Sequence, residues 1–277
     1  KSVIHPSFPD DLLPMWVVSY WAAMSHALES QRDWCMSYDW VLDQLDVVLA
    51  DGQELEVVDE VLDVSESLPW DAPLKGFSAQ TDLRTMELQL LLASCPIHGC
   101  VLDSMIAAVV QQMQASDLQF VSVKTLDFAD ILRLNEKQWN NYETDRAFVR
   151  LCTIGSALHD GTLHCILFPI NIDNVHWAVI EVNTVNQSIS YANSLDWSWP
   201  NDNINTINRW LGYHGFGKFD RATTLQHGEQ RDSFSCGIAA INTIKHALFH
   251  DPLFTNDRAF SLRMGEFLYI AYDHLKV

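Results

Sequence analysis

The chain contains 277 residues, 48% of them hydrophobic, and carries a formal net charge of −19 at pH 7. This length accommodates one large domain or a domain with an extension, and the hydrophobic share is ample for a core. The acidic balance argues against a nucleic-acid binder that works through phosphate contacts, and no apolar run approaches the roughly 18 residues of a membrane span.

The first part of the chain is predicted to be helical and acidic. Apolar residues recur at helical spacing over residues 12–64, as in "MWVVSYWAAMSHAL". Between Asp39 and Asp71, eleven residues are Asp or Glu and none is Lys or Arg. A solvated helix face explains this run best, with a basic partner or a regulatory tail as the alternative. Two prolines and a glycine in residues 65–82 predict a linker.

The sequence pattern changes after residue 84. An amphipathic helix is predicted over 101–113, and short β-branched segments separated by turn residues then predict consecutive antiparallel strands. These strands are expected at 163–170, 175–182 and 188–193, and further helices at 202–213, from Cys236 onward and at about 256–270. Helices followed by a small sheet and more helices make an α+β fold. We expect a helical extension over 1–83 and a second domain over 84–277.

The six cysteines are scattered through the chain, and Cys152 and Cys165 lie in apolar, core-like runs. This distribution favours free thiols in a reducing compartment over a disulfide framework. Cys95, His98 and Cys100 are close enough to suggest a metal site, but a fourth ligand at suitable spacing is lacking, which favours ordinary packing. The residues after Lys1 contain no basic-then-apolar segment, so we expect no secretory signal.

One cysteine lies where a polar turn meets a helical pattern, in "QRDSFSCGIAAINTIKHA" (230–247). If a helix begins at Cys236, its unpaired N–H groups and positive dipole end favour the thiolate. Gly237 has no side chain and lets a substrate carbonyl approach the backbone. The alternative is a buried structural cysteine that starts a helix, so a catalytic interpretation requires a base.

His176 is the candidate base because it follows the turn "NIDN" at the start of a predicted strand. Antiparallel pairing of the next strand would return Asn193 to its neighbourhood, where an amide oxygen could hold the imidazole in one tautomer. The side-chain amide of Gln230 and the backbone N–H of Cys236 could donate to an oxyanion. Gln226 is the competing donor, and either glutamine could be an ordinary surface residue.

The ordered segments "VHWAVIEV", "SYANSLD" and "QRDSFSCGI" resemble the ubiquitin-like-protein-specific (SUMO) protease family of cysteine peptidases, related to the adenovirus endopeptidase. The resemblance covers residues from about 86 to 277, and "VLDSMI" matches the helix that opens the family's domain. It implies a papain-like or adenain-like α+β fold, with a small, partly antiparallel central sheet flanked by helices. Residues 1–83 would be a helical extension to it.

The resemblance implies cleavage after the C-terminal Gly-Gly of a SUMO-type modifier, in precursor processing or deconjugation. Cys236 would be the nucleophile, His176 the general base and Gln230 the oxyanion-hole residue. Trp177 would cover a narrow tunnel for the di-glycine tail. No metal or organic cofactor is implied. The expected partners are the modifier and its conjugates, not nucleic acid or membrane, for a monomer in the nucleus or cytoplasm.

The resemblance also assigns substrate contacts to Gly237 and Asp103, and the chain departs from the family pattern at two positions. Asn193 stands where the family usually has Asp, and papain-like enzymes function with Cys-His-Asn. Asp196 is nearby but is expected to face elsewhere. Cys100 stands where the family often has a tryptophan that forms the other tunnel wall.

Three functional alternatives therefore remain open at this stage. The same fold could act on ubiquitin or another modifier, or it could catalyse acetyl transfer, although the acidic charge disfavours a basic site for a phosphate cofactor. The substitution of Asn for Asp could also mark a catalytically weakened, modifier-binding module.

Overall fold

A computed structural model describes residues 1–48, 55–76, 83–116, 118–136, 141–222 and 225–276. In chain order the elements are β1 (Ser2–His5), β2 (Phe8–Pro14), α1 (Trp16–Val48), α2 (Leu55–Ser67), α3 (Thr85–Leu88), a 3-10 helix (Gln89–Leu92), α4 (Gly99–Gln114), β3 (Val121–Val123), α5 (Leu126–Glu136), α6 (Val149–His159), β4 (Cys165–Ile172), β5 (His176–Asn183), β6 (Ser188–Ala192), α7 (Asn201–Tyr213), β7 (Asp220–Arg221), α8 (Cys236–Phe249) and α9 (Ala259–Leu275). The expected α+β class is confirmed. Within these described ranges, no helix is both long and apolar enough to cross a bilayer.

The central sheet has five strands in the order β3-β4-β5-β6-β7. The three long strands, β4, β5 and β6, pair antiparallel, and the short strands β3 and β7 join the two edges in parallel. Because side chains alternate along a strand, β4 sends Leu167 to one face and Ile166 and Phe168 to the other. Each face belongs to a separate apolar cluster, so helices cover the sheet on both sides.

The predicted strands and the helices around the sheet match the structure closely. The three predicted strands correspond to β4, β5 and β6, and the predicted helices correspond to α4, α7, α8 and α9. Pairing of Val179 with Ala192 places the end of β6 beside the beginning of β5. Residue 193 therefore returns to the neighbourhood of residue 176.

The predicted helix over 12–64 is wrong at its start. Residues 1–14 form a β-hairpin in which Val3 pairs with Leu13, and α1 begins only at Trp16. Pro14 explains the boundary, because proline lacks an amide hydrogen and disfavours helical backbone at the residue before it. Residues 49–54, which the predicted helix and the acidic run include, lie outside the described residues.

The predicted linker over 65–82 is also largely ordered where it is described. Helix α2 continues to Ser67, and the side chains of Leu68 and Leu74 are buried in the core. The backbone N–H of Leu74 donates to the carbonyl of Leu83 at 2.9 Å. The prolines and glycine that predicted a flexible segment instead shape a packed turn, and residues 77–82 lie outside the described residues.

The N-terminal helices share a core with the rest of the chain. Val41 of α1 and Val58 and Val61 of α2 belong to the apolar cluster that contains Phe267 of α9 and Ile241 of α8. The ring of Trp34 packs edge-on against Phe267 with centroids 6.3 Å apart. The boundary at residues 83 and 84 remains a prediction about domains, although the packing across it is continuous.

Substitution of Leu68 by alanine is expected to lower the free energy of unfolding by about 2–5 kcal/mol, because it leaves a cavity in that shared core. Leu28→Ala is the matched control, since Leu28 is 57% exposed and should change the value by less than about 0.5 kcal/mol. Urea unfolding followed by circular dichroism measures both. Equal, negligible effects would mean that residues 65–76 are a free linker.

Candidate active site

Cys236 is the first residue of α8 and is 2% exposed. The loop before it is fixed by Asp232, whose Oδ1 accepts from the backbone N–H groups of Phe234 (2.8 Å) and Ser235 (2.7 Å). Burial raises the pKa of the Cys236 thiol, whereas the backbone N–H groups of Trp177, Gly237 and Cys236 itself lower it. The helix start stabilises a thiolate as expected, but burial prevails in the free protein, so ionisation requires a base.

His176 is placed by a tight turn between β4 and β5. Asp173 and Asn174 adopt left-handed backbone (φ 53° and 59°), which Asp and Asn tolerate well, and His176 then pairs with Ile172. The imidazole is buried and lies 4.7 Å from the ring of Trp197, centroid to centroid. Burial lowers the pKa of His176, so the ring favours the neutral form that a general base needs.

Asn193 fixes the tautomer of that imidazole. Its Oδ1 accepts from the backbone N–H of Leu195 at 2.9 Å, and its Nδ2 donates to the hydroxyl of Tyr191 at 2.8 Å, which together determine the orientation of the amide. The Nε2 atom of His176 lies 2.7 Å from the same Oδ1 and must therefore carry the hydrogen. The lone pair of a neutral ring is left on Nδ1.

The first peptide of β5 connects His176 to the surroundings of the Cys236 sulfur. The backbone N–H of Trp177, the residue after His176, faces the sulfur of Cys236. Across the described residues, no hydrogen bond joins the sulfur to the ring in the free protein. Catalytic hydrogen bonds are often long in free enzymes and tighten when substrate binds. The thiol of Cys236 thus lies near the peptide that follows His176, and the free nitrogen of that imidazole is Nδ1.

Gln230 is buried and connects the loop before Cys236 to the turn after β6. Its backbone N–H donates to the carbonyl of Ser194 at 2.9 Å, and its Oε1 accepts from the Ser194 hydroxyl at 2.7 Å. Its Nε2 donates to the carbonyl of Asp232 at 2.9 Å, which occupies one of the two amide hydrogens. The second hydrogen of that amide is the one that a developing oxyanion would use.

The structure separates the two competing residues from this cluster. The Oε1 atom of Gln226 lies 2.9 Å from Nε2 of His246, near the far end of α8 from Cys236. Asp196 adopts left-handed backbone (φ 53°), and its carboxylate lies 3.8 Å from Nε2 of His227. Among the described residues, no hydrogen bond or ion pair joins Asp196 to His176.

Trp177 spans the beginnings of two helices beside the nucleophile. Its Nε1 donates to the carbonyl of Ile97 at 3.0 Å. A β-carbon built on Gly237 would lie 3.2 Å from Cβ of Ile97 and 3.5 Å from the Trp177 ring, and one built on Gly99 would lie 3.8 Å from that ring. Both glycines therefore pack closely beside Trp177, where a larger side chain would crowd the ring or its neighbours.

The remaining predicted residues lie on α4. Oδ1 of Asp103 accepts from the backbone N–H of Leu126 at 2.9 Å, so this carboxyl anchors the start of α5, and burial raises its pKa to about 6. Contact between Asp103 and substrate remains a prediction. The thiol of Cys100 donates to a carboxylate oxygen of Glu87 at 3.0 Å. This side chain does not have the shape of the tryptophan that often forms the second tunnel wall in the family.

The proposed metal trio, Cys95, His98 and Cys100, shows no metal-binding geometry. Among the described residues no group of three potential ligands is close enough to hold a metal ion, and the sulfur of Cys95 is instead directed at the carbonyl of Leu90. All six cysteines are free thiols.

Arg263 is a positioning residue that the sequence did not indicate. It is 1% exposed, and its guanidinium donates to four backbone carbonyls at 2.9–3.0 Å, those of Leu90, Ala93, Cys95 and Phe234. The Phe234 carbonyl lies two residues before Cys236, so the side chain of Arg263 connects the loop before Cys236 to residues 90–95. An arginine within a helical pattern carries no sequence signal for such a role.

Replacing Asn193 with Asp is expected to raise the pKa of His176 by about 1–3 units, since a carboxylate stabilises the imidazolium that an amide does not. Both acceptor contacts survive, because a carboxylate oxygen can still receive Leu195 N–H and His176 Nε2–H. NMR titration of the histidine ring carbons measures the change, with a His176→Gln sample to assign the resonance. An unchanged pKa would contradict the Asn193–His176 pairing.

No protein-family model and no curated protein matches this sequence. Solved structures do match it. The SUMO protease Ulp1 with its catalytic cysteine oxidised to a sulfonic acid is 17% identical, with a TM-score of 0.61, over 80% of this chain and 96% of that one. The C-terminal Ulp1 protease domain in complex with Smt3, the yeast ortholog of SUMO, is 18% identical, with a TM-score of 0.58 and the same coverage.

A third match is the catalytic domain of the Chaetomium thermophilum Ulp1-like SUMO protease, 16% identical with a TM-score of 0.50, over 78% of this chain and 87% of that one. The chain therefore has the fold of the Ulp1 SUMO proteases, as the sequence resemblance predicted. Coverage of 80% exceeds what residues 84–277 can supply, so the shared fold includes part of the N-terminal helical segment.

Proposed function

We propose that this protein is a cysteine peptidase that cleaves after the C-terminal Gly-Gly of a SUMO-type ubiquitin-like modifier. The observation that carries the proposal is the imidazole of His176, held by Asn193, directly before the peptide whose N–H faces the sulfur of Cys236. This arrangement occurs within the fold of the Ulp1 SUMO proteases. The site requires no metal or organic cofactor for this chemistry.

The reaction begins with transfer of the thiol proton. Nδ1 of His176 accepts the proton of Cys236 as the sulfur attacks the carbonyl of the terminal glycine, and the resulting imidazolium retains its Nε2–H bond to Asn193. The backbone N–H of Cys236 and the second amide hydrogen of Gln230 stabilise the oxyanion. Each such donor contributes about 10²–10³ in rate.

The imidazolium then returns its proton to the leaving amine, the C–N bond breaks, and a thioester joins the modifier to Cys236. A water molecule that loses its proton to Nδ1 of His176 hydrolyses the thioester and regenerates the thiol. The same steps release a short peptide from a precursor or a lysine side chain from a conjugate. The chemistry accommodates processing and deconjugation equally.

The preference for Gly-Gly rests on the family resemblance, in which Trp177 would cover a narrow tunnel that admits a tail without side chains. The hydrogen bond from Nε1 of Trp177 to the carbonyl of Ile97 supports this proposal, because it fixes the ring near Gly237. We propose the modifier and its conjugates as the partners of a monomeric enzyme. A reducing compartment, the nucleus or cytoplasm, would keep all six thiols free.

The test uses modifiers that carry a C-terminal propargylamide, which reacts with a neighbouring thiolate. We expect the SUMO probe to form a covalent adduct at Cys236, located by peptide mass spectrometry, and a ubiquitin probe to react at least tenfold more slowly. Faster reaction with the ubiquitin probe would identify ubiquitin as the preferred substrate and would leave the proposed thiol chemistry unchanged. No adduct with either probe, despite measurable binding, would indicate a binding module.

A further inference from the structure

A cleft of about 310 Å³ opens between α1 and α2, and it involves none of the candidate catalytic residues. Its lining residues are Gln31, Trp34, Cys35, Tyr38, Asp39, Ser65, Glu66 and Trp70. Three of these eight side chains are aromatic, two are carboxylates and none is basic. The volume is at the lower end of ligand pockets and suits one or two inserted side chains.

The aromatic walls of the cleft are held in place by the fold. Nε1 of Trp34 donates to the backbone carbonyl of Trp70 at 2.9 Å, which ties α1 to the segment after α2. Trp34 is 7% exposed and packs against Phe267, whereas Trp70 is 47% exposed and forms the rim. These contacts fix the ring of Trp34 and the main chain of Trp70, so this side of the cleft is ordered before a ligand binds.

The two carboxylates of the cleft remain available to a ligand. Asp39 and Glu66 are exposed, and neither takes part in a hydrogen bond or ion pair with another described residue. Of the basic groups in this region, Arg84 and His26 both pair with Asp71, and Arg32 lies 3.9 Å from the carboxylate of Asp33. Negative charge at the mouth of the cleft is therefore uncompensated by these groups.

Aromatic faces combined with carboxylates recognise one ligand chemistry best. A Lys or Arg side chain gains a cation–π contact from the rings and Coulomb attraction from the carboxylates, and its aliphatic stem covers apolar surface. An uncharged apolar side chain would desolvate Asp39 and Glu66 without compensation, and a phosphate group would be repelled. The chemistry of the lining thus favours a cation.

The surrounding charge reinforces this preference. The stretch from Asp39 to Asp71 contains eleven acidic residues and no Lys or Arg, and its described part forms α2 and the flanks of the cleft. Such a field raises the local concentration of basic segments and accelerates their encounter, in a manner that salt weakens. A solvated helix face alone would explain the acidic run. In the structure, the described part of this run also flanks a cleft with aromatic walls.

We propose that the α1–α2 cleft is a docking site for a basic protein segment, with one Lys or Arg side chain inserted between Trp34, Tyr38 and Trp70 and paired with Asp39 and Glu66. The site is independent of the proposed peptidase activity. It would bring a lysine-rich or arginine-rich partner to the N-terminal helices without occupying Cys236.

The test is isothermal titration of the full chain with a short Gly/Lys peptide and with the same peptide acetylated on every lysine. We expect saturable binding of the first peptide, at least tenfold weaker binding of the second, and loss of affinity at high salt. Equal affinity of the two peptides, or no saturable binding of the first up to millimolar concentration, would overturn the proposal.

Variants distinguish the cleft from its general electrostatic field. We expect the double substitution Asp39→Asn, Glu66→Gln to lower the affinity for the Gly/Lys peptide at least tenfold. The single substitution Trp70→Ala should have an effect of the same size. It should leave the Trp34 hydrogen bond intact, because that bond is made to the main chain of residue 70. The control Glu56→Gln, Asp59→Asn removes the same charge from exposed positions of α2 that do not line the cleft. An equal loss in the control would assign binding to the field and overturn the proposal.

Discussion

Replacing Cys236 with alanine is expected to abolish modifier cleavage, with kcat/KM falling by at least about 10⁴-fold, because residues of a nucleophile–base unit cannot substitute for one another. Alanine suits the first position of α8 and removes only the sulfur, so the fold and the affinity for the modifier should be retained. A fluorogenic amide of the SUMO C-terminus measures the rate, and titration of uncleavable SUMO measures the binding.

The matched control for this substitution is Cys35→Ala. Cys35 is exposed, whereas Cys236 is 2% exposed, so a purely chemical reaction with any accessible thiol would select Cys35. The covalent adduct with the electrophilic modifier should persist in Cys35→Ala and disappear in Cys236→Ala. An adduct that follows Cys35 instead, with cleavage unaffected by the loss of Cys236, would remove the basis of the peptidase assignment.

The pairing of His176 with Asn193 and the position of Cys236 at a helix start could be predicted from the sequence, because both follow from local patterns. Alternation of apolar residues located β5 and β6, and antiparallel pairing of consecutive strands returns Asn193 to His176. The onset of the apolar helical period likewise located Cys236 at the first residue of α8. In each case residues close in the chain determine the position of the side chain.

Features that depend on residues distant in the chain could not be predicted in this way. Edge strand β3 has only three residues, and its position depends on parallel pairing with β4 more than forty residues later. The role of Arg263 depends on carbonyls about 170 residues earlier in the chain. A strand of that length shows no clear alternation, and a charged residue in a helical pattern indicates solvent unless tertiary contacts are known.

The N-terminal errors have a related cause. Prolines and a glycine predicted a linker after α2, but such residues also form packed turns when the flanking leucines reach a core. Leu68 and Leu74 do so here because α9 and the 85–92 segment supply the opposite wall. The burial of Leu68 and Leu74 thus depends on contacts with residues later in the chain.

Replacing His176 with glutamine is expected to lower kcat/KM by about 10²–10⁴-fold at pH 7, the usual contribution of a general base. Glutamine retains a donor for Asn193 but cannot accept the thiol proton. Because burial raises the pKa of Cys236, residual activity should come only from the small thiolate fraction and rise about tenfold per pH unit above neutrality. The double variant with Cys236→Ala should be no less active than Cys236→Ala alone.

The unmodified protein should also be less active at lower pH, but its loss of activity should be confined to the acid side. Its base works as neutral imidazole, and burial lowers the pKa of His176, so activity should fall only as pH drops through a value below the ordinary 6.5. The pKa of His176 is lowered only in the folded protein, so the unfolded chain binds this proton more readily. The free energy of unfolding therefore also falls as pH decreases through this range. Melting curves at each pH separate the two effects. A His176→Gln variant with an unchanged pH–rate profile would show that some other group takes the thiol proton.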